Sequence, residues 1–265
     1  MKSALKKTLL KKNLYYPLKY SRLFYLYQLI FKPAEIRQQN QEKIFYKSFL
    51  PECALVFDVG ANDGHKTEAF LTLSKKVVCC EPDTVNFRLL QIRFRNKKKR
   101  VMFENKALSD KEGFAEFHIH HPGSAFNTLS SKWMKLLEDD NSLKWNEEIK
   151  FTQVQTVETT TLDRLIDKYG VPDFIKIDAE GFERQILKGL SQRVNYLSFE
   201  ILLPDYGDEL QDCLNHINDL NHSATYNVSR FEKLLLPYFV SKDELVKYID
   251  NNSILSFDVI VKMPA

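Results

Sequence analysis

The sequence predicts an α/β fold built on a mostly parallel sheet, with an antiparallel edge hairpin and an N-terminal helical extension. The apolar run from Ala54 to Val59 is followed by a glycine-containing turn and then by the helix-like residues 66–73. Two further apolar runs, at 77–80 and 173–177, are also followed by helical patterns. Buried strands that alternate with helices are typical of parallel sheets covered on both faces.

Length and composition are those of one globular domain with an appendage. The chain has 265 residues, of which 44% are hydrophobic and 28% are charged, and these values argue against a disordered or fibrous protein. The four cysteines, at 53, 79, 80 and 213, show neither metal-type nor disulfide-type spacing. A reduced, cytoplasmic protein is the simplest interpretation.

We divide the chain into an N-terminal extension, residues 1–50, and a domain, residues 51–265. The extension is aromatic and holds 11 basic but 2 acidic residues. Its apolar runs are too short and interrupted to span a membrane, and no cleavage site follows them. Two interpretations stay open: helices packed on the domain, or a peripheral contact with an anionic membrane surface or a glycolipid. No nucleic-acid partner is expected, because the basic run 96–100 lacks stacking aromatics.

The turn after the first strand has the pattern D-x-G-x-x-x-G, formed by Asp58, Gly60 and Gly64. Glycine permits positive φ and a close approach of a ligand to the backbone, here at Ala61 and Asn62. The middle glycine of the dinucleotide fingerprint is missing. Asp58 would repel a phosphate and attract a sulfonium, so a cationic cofactor fits this turn better than NAD.

The second apolar run ends in Glu81, twenty-one residues after Gly60, and Pro82 and Asp83 follow it. An acid at this strand end is placed to accept hydrogen bonds from two ribose hydroxyls. Ala107 lies after the third strand, on the same predicted sheet edge, where an adenine would lie. Together these features indicate S-adenosylmethionine as the cofactor.

A second acidic motif follows the run 173–177. Asp178 should stand at the tip of a central strand, beside the reactive end of the cofactor, so we also count it among the cofactor contacts. Asp178 and Glu180 are the candidates for a general base, since neighbouring carboxylates raise at least one pKa. Asn127 and Glu200 are the candidate substrate contacts.

No metal is expected, although Mg²⁺ is kept as an alternative. Oxygen ligands suit that ion, and its ligands would then be Asp178, Glu180 and Glu200. The histidines at 118, 120 and 121 could suggest a metal site, but no carboxylate nearby completes a ligand set with 118 and 120. We interpret them as part of an exposed polar strand face.

The rest of the domain is predicted as an insert and a closing unit. Residues 122–150 are polar and irregular, with a short helical stretch that holds Trp133 and Trp145, and an insert of this kind predicts a substrate loop or lid. An alternating strand at 114–120 precedes it. The closing unit contains two helices and the two strands of the edge hairpin, at 207–220, 224–229, 242–249 and 256–262.

Five motifs occur in a fixed order: V-F-D-V-G-A-N-D-G at 56–64, E-P-D at 81–83, N-K-A-L-S-D at 105–110, T-L-D-R-L at 161–165 and I-K-I-D-A-E-G-F-E at 175–183. In these motifs the chain resembles the FkbM-type S-adenosylmethionine-dependent methyltransferases. The resemblance implies a Rossmann-like methyltransferase sheet and O-methylation of a sugar hydroxyl in a glycan, glycolipid or natural product. The expected partner is therefore a small-molecule or glycan acceptor.

Two other functions stay open. One is a catalytically lapsed methyltransferase fold that serves as a membrane- or glycolipid-binding module, although the intact motif residues speak against it. The other is an RNA methyltransferase, which the basic first 100 residues allow, with 21 Lys and Arg against 8 Asp and Glu.

Overall fold

The computed structural model describes residues 3–139 and 148–264. Its strands are β1 Cys53–Val59, β2 Ser74–Cys80, β3 Val101–Glu104, β4 Ala107–Leu108, β5 Gly113–Ile119, β6 Gln153–Thr160, β7 Phe174–Ile177, β8 Tyr196–Leu202, β9 Thr225–Ser229 and β10 Ser256–Lys262. Its helices are α1 Ser3–Lys11, α2 Tyr15–Lys19, α3 Arg22–Phe31, α4 Pro33–Lys47, α5 His65–Phe70, α6 Thr84–Arg93, α7 Ser131–Asp139, α8 Leu162–Tyr169, α9 Glu183–Lys188, α10 Gly207–Leu220 and α11 Lys242–Asn252.

The main sheet has seven strands in the order β3-β2-β1-β7-β8-β10-β9. The first five strands of this order run parallel, whereas β10 is antiparallel to both of its neighbours, β8 and β9. The predicted α/β fold, with a mostly parallel sheet and an antiparallel edge hairpin, is therefore confirmed.

The register of the central strands aligns their carboxyl ends. Val59, the last residue of β1, lies opposite Cys80 of β2 on one side and Ile177 of β7 on the other. The residues that follow these three strand ends, Gly60, Glu81 and Asp178, therefore meet at one edge of the sheet. This edge is where ligands bind in open α/β sheets.

Both faces of the main sheet are covered. Successive residues of a strand point to opposite faces. Phe57 accordingly belongs to one hydrophobic cluster, with Leu165 of α8, and its neighbour Val56 belongs to the other cluster, with Phe70 of α5. The continuous apolar runs seen in the sequence are the result of this double burial.

A second, smaller sheet lies beside the first, in the order β4-β6-β5. The predicted extra strand at 114–120 pairs antiparallel with β6, as expected. This pairing lies in the separate small sheet. The other edge of that sheet is β4, a two-residue strand within the predicted loop 105–110, whose Ala107 and Leu108 pair with Thr159 and Thr160 of β6.

The N-terminal extension is helical, as predicted, and its parts differ in how they meet the domain. In α4, Phe45 and Tyr46 are buried, and the Tyr46 ring lies 4.8 Å from that of Phe70. Helices α2 and α3 contain no buried residue. Among the helices of the described ranges, none is long and apolar enough to cross a membrane.

The predicted insert at 122–150 contains α7, where Trp133 is buried. Trp145 lies outside the described residues. The beginning of the insert is tied down by hydrogen bonds to the domain, since the Thr128 hydroxyl donates to the Glu180 carbonyl at 2.8 Å. The assignment of this insert as a lid stays a prediction.

Candidate active site

A cavity of about 320 Å³ opens at the carboxyl ends of the central strands. Most of the predicted site residues line it: Gly60, Ala61, Asn62, Glu81, Pro82, Ala107, Asn127, Asp178 and Glu180. Four do not line it: Asp58, Gly64, Asp83 and Glu200. The topology thus brings residues that are far apart in sequence to one place, because the strand order puts β7 next to β1.

Gly60 provides the close approach between the first loop and the second acidic motif. Its φ of +76° lies in the left-handed region, and a Cβ there would come within 1.8 Å of the Asp178 carbonyl oxygen. The N–H groups of Gly60 and Ala61 both donate to the Cys80 carbonyl at 3.0 Å. A side chain at position 60 would therefore push the two loops apart and change the cavity floor.

Asp58 and Gly64 have structural places outside the cavity. The buried Asp58 carboxylate accepts a hydrogen bond from the Thr67 hydroxyl and so ties β1 to α5. Burial raises the pKa of Asp58 to about 6. Gly64 begins α5 at a φ of +84°, and a Cβ there would meet the Phe94 side chain at 2.5 Å. Asp58 therefore does not line the cavity, where the sequence pattern predicted that it would attract a sulfonium.

Glu81 lies on the cavity wall and shapes the first loop. One carboxylate oxygen accepts the Asn62 N–H at 2.7 Å, and the other accepts the Asp83 N–H at 2.8 Å. Burial raises the pKa of Glu81 to about 8, against the lowering effect of these two donors. In the ionised form each carboxylate oxygen can accept a second hydrogen bond, so two ligand hydroxyls that donate to Glu81 would be held here and would favour that form. This donor and acceptor set fits a ribose.

Asp83 holds the insert instead of facing the cavity. One oxygen caps α6 by accepting from the N–H groups of Val85 and Asn86, at 2.8 and 3.0 Å. The other oxygen accepts from the Gly123 N–H at 3.0 Å and from the Asn127 amide at 2.9 Å. All four acceptor positions of the carboxylate are used, so Asp83 has no capacity left for a ligand.

Asn127 does line the cavity, although its amide is largely occupied. Its nitrogen donates to Asp83 and to the His121 carbonyl, and its oxygen accepts the His120 N–H at 2.9 Å. The residue thus fixes the wall of the cavity through its neighbours. Both of its donors have protein partners.

A buried lysine stabilises the ionised form of Asp178. Lys176 is 3% exposed, and its ammonium lies 3.3 Å from the Asp178 carboxylate and 2.9 Å from that of Asp258. Burial opposes the charge on Asp178, but the ammonium of Lys176 holds its pKa below the ordinary range. At neutral pH Asp178 is therefore a carboxylate.

Glu180 has the opposite protonation state. Burial, together with the negative charge of Asp178, raises its pKa well above the ordinary range. The backbone of Glu180 adopts a φ of +52°, an uncommon conformation for a residue with a side chain, and such conformations cluster at functional sites. The cavity therefore presents one ionised and one protonated carboxyl group side by side.

Glu200 and Glu183 complete the acidic cluster behind the cavity. Glu200 lies within β8, which continues to Leu202, and it is paired with Asp258 of β10. Burial raises the pKa of Glu200 to about 8 and that of Glu183 to about 7. Glu183 accepts the Ala179 N–H at 2.9 Å and so holds the loop that precedes α9.

The ligand set considered for Mg²⁺ is Asp178, Glu180 and Glu200. Within residues 3–139 and 148–264, no group of three or more histidine, cysteine or acidic side chains is arranged so that it could hold a metal ion. The positive charge beside Asp178 is supplied by the ammonium of Lys176.

Three cationic or basic residues of the site were missed by the sequence reasoning. Lys176 is a lone lysine inside an apolar run, and this pattern could have predicted a buried charge with partners. His65 and Lys66 line the cavity and contact the Glu42 carboxylate of α4, at 3.0 and 2.9 Å. No sequence signal connects Glu42 to them, since it comes from the extension.

Comparisons with solved structures find chains of low sequence identity. A methyltransferase FkbM structure from Methylobacillus flagellatus shares 15% identity and a TM-score of 0.49, over 80% of this chain and 44% of that one. This chain therefore spans less than half of that protein's length. A precorrin-6y C5,15-methyltransferase from Geobacter metallireducens shares 11% identity and a TM-score of 0.41, over 86% and 87% of the two chains. An rRNA methylase from Streptococcus thermophilus shares 11% identity and a TM-score of 0.40, over 84% and 94%.

The sequence itself matches a family profile. A comparison with curated proteins gives no match. The profile described as Methyltransferase FkbM domain, however, matches residues 58–228, which is more than half of the chain and includes the end of β1, together with β2, β7 and the loops that form the cavity. The chain thus belongs to the FkbM methyltransferase family.

Proposed function

We propose that the protein methylates a hydroxyl group of a sugar in a glycan, glycolipid or natural product. The sugar is the acceptor class that the FkbM resemblance implies. The observation that supports an oxygen acceptor is the pair of Asp178 and Glu180, which line one cavity in opposite protonation states. A hydroxyl is a poor nucleophile near neutral pH, so its methylation is helped by a base at the reacting oxygen.

When bound, S-adenosylmethionine supplies a methyl group on a positively charged sulfur. The nucleophile attacks the methyl carbon in line with the sulfur, which leaves as the neutral thioether. We propose that the backbone of residues 60–62 lies against it and that Glu81 accepts hydrogen bonds from its ribose. Ala107 and Leu108, which are apolar and line the cavity, would pack against the adenine.

The proposed base is Asp178, and Lys176 is its positioning residue. An ionised carboxylate can take the proton of the acceptor hydroxyl, and the ammonium of Lys176 keeps Asp178 ionised and oriented. Glu180, which holds a proton, would donate a hydrogen bond to the acceptor. Glu200 supports this pair from behind, since a hydrogen bond between its side chain and Asp178 lowers the pKa of Asp178.

The test begins with calorimetric titration of the purified protein with S-adenosylhomocysteine, with and without Mg²⁺, and with NAD as a control. Transfer of a labelled methyl group to sugars, glycolipids and RNA is then compared. Methylation of sugars would support the proposal. Methylation of RNA alone, or product binding without turnover of any acceptor, would favour one of the two other functions.

Asp178→Asn tests the base. We expect kcat to fall by about 10²–10⁴-fold, because the amide cannot accept the proton, and we expect a much smaller loss of product affinity. Asp258→Asn is the matched control, since Asp258 contacts the same ammonium but does not line the cavity. Equal losses of turnover in the two variants would reject Asp178 as the base.

We further propose a cytoplasmic location. The four cysteines are buried as free thiols, which is the usual state in a reducing compartment.

A further inference from the structure

We propose that helices α1 to α3 form a docking surface for an anionic lipid bilayer. Its apolar part is the exposed side chains of α3, and its charged part is the exposed basic residues of α1, of the turn after it and of the two ends of α3. We call these two parts together the docking face: Lys7, Lys11, Lys12, Arg22, Leu23, Leu26, Leu29, Ile30, Phe31 and Lys32.

The apolar part is unusual for a helix at the surface. Eight of the ten residues of α3, with the sequence RLFYLYQLIF, are apolar or aromatic, and none of them is buried. Leu23, Ile30 and Phe31 are 69%, 71% and 66% exposed. A helix that is apolar around its circumference is normally buried in a core or in lipid. Contiguous exposed apolar surface of this kind marks an interaction site.

The positive charge of the segment that contains α3 identifies the partner. Residues 1–34 contain eight lysines and arginines and no acidic residue, and the first acid is Glu35. Lys7, Lys11 and Lys12 are exposed in or directly after α1. Clusters of basic residues beside exposed apolar side chains bind anionic lipid surfaces, where the apolar groups enter the headgroup boundary.

Other occupants fit this face less well. In a two-fold dimer through the docking face, its five basic residues in one copy would approach the same five in the other, and the face contains no acidic residue to pair with them. A nucleic acid would contact the cations, but it offers nothing to aliphatic side chains such as Leu26 and Ile30.

The docking face is joined to the cavity by α2. Directly after α2, the Tyr20 hydroxyl donates to the Asp63 carboxylate at 3.0 Å, and Lys19 lies 3.7 Å from the same group. Arg93 of α6 stacks on the Tyr20 ring and also binds Asp63 at 3.1 Å. Asp63 itself lines the cavity. A bilayer held by the docking face would therefore lie next to the methyl-transfer site, although the docking does not depend on the acceptor.

Flotation of the full chain with vesicles tests the proposal. We expect binding to vesicles of equimolar phosphatidylcholine and phosphatidylglycerol, and binding at least about tenfold weaker to phosphatidylcholine alone or in high salt. Equal binding to both kinds of vesicle, or no binding to either, would overturn the anionic bilayer as the partner.

Two pairs of variants locate the contact. Leu26→Gln with Ile30→Gln should weaken vesicle binding by at least about tenfold, while the same change at Phe114 and Val154, which are 78% and 57% exposed on the small sheet, should leave it within about twofold. Lys11→Gln with Lys12→Gln should weaken it more than Lys98→Gln with Lys99→Gln, which removes the same charge elsewhere.

The controls separate docking from folding and from catalysis. S-adenosylhomocysteine affinity should be unchanged in all four variants, which shows that they are folded and that docking is independent of the proposed reaction. Equal vesicle binding by a variant and its matched control would overturn the proposal. A dimer that the α3 variant alone dissociates would assign the face to a second copy, and RNA binding without vesicle binding would assign it to nucleic acid.

Discussion

At the scale of single residues, the site depends on one lysine placed where the sequence pattern calls for an apolar side chain. Lys176 lies in the middle of β7, between two apolar residues, and its ammonium is shared by Asp178 and Asp258. A buried charge is retained only when it is paired, because desolvation otherwise drives it to the neutral form. The lysine and the two acids are therefore one unit, contributed by β7, its following loop and β10.

Gly60 is the second residue whose identity the geometry demands. We expect Gly60→Ala to cost more than about 2 kcal/mol of unfolding free energy, because it combines a positive φ with a Cβ 1.8 Å from the Asp178 carbonyl oxygen. Gly170→Ala is the matched control, since its φ is +95° and nothing lies within 4 Å of the added Cβ. It should cost about 1–3 kcal/mol through backbone strain alone, less than Gly60→Ala, and leave S-adenosylhomocysteine binding intact. Urea unfolding and calorimetry measure both effects, and equal stabilities of the two variants would contradict this account.

At the scale of elements, Asp83 connects α6 to the insert. Asp83→Ala removes a helix cap and the anchor of Gly123 and Asn127 together, so we expect a loss of more than about 1–2 kcal/mol and weaker S-adenosylhomocysteine binding. Thermal unfolding and calorimetric titration test this.

The control for Asp83 is another helix cap remote from the cavity. Ser241 caps α11 in a capping box with Glu244, so Ser241→Ala should lose about 1 kcal/mol and keep full product affinity. If Asp83→Ala also kept full product affinity, the anchoring of the insert would be irrelevant to the cavity.

At the scale of the whole molecule, the buried acids predict how stability depends on pH. Burial raises the pKa of Glu81 and Glu200 to about 8, of Glu183 to about 7 and of Asp58 to about 6. The folded state then keeps protons that the unfolded state has released, so the unfolding free energy falls as pH rises from about 4.5 to 8. Each such proton contributes about 1.4 kcal/mol per pH unit within its window.

Other shifted groups act outside this window. Carboxyl groups with a lowered pKa, such as Asp178 and Glu42, titrate below 4.5, and the lysines with a raised pKa titrate above 10.5. Urea midpoints measured at constant ionic strength should therefore fall between pH 4.5 and 8. In Glu183→Gln the fall up to pH 7 should be shallower. A stability that rises over this range would refute the assignment of buried, protonated acids.

The sequence predicted the order and type of most elements of the domain. Strand β10 and helix α10 were predicted with the bounds that they have, because their apolar periods are clear. The second sheet was not predicted, since β4 is two residues long and its pairing with β6 involves residues fifty positions away. Local patterns carry no signal for such a pairing.

The sequence by itself determined the parallel strands, the glycine turn and the strand-end acids, because each rests on periodicity or on backbone geometry within a few residues. The tertiary structure decided which acids reach the cavity: Glu81, Asp178 and Glu180 line it, whereas Asp58 and Asp83 turn to the protein's own donors. It also decided that α4 is part of the core while α3 is exposed. Hydrogen-bond partners and burial depend on residues that folding brings together. Because these residues are far apart in the sequence, local sequence patterns do not identify them.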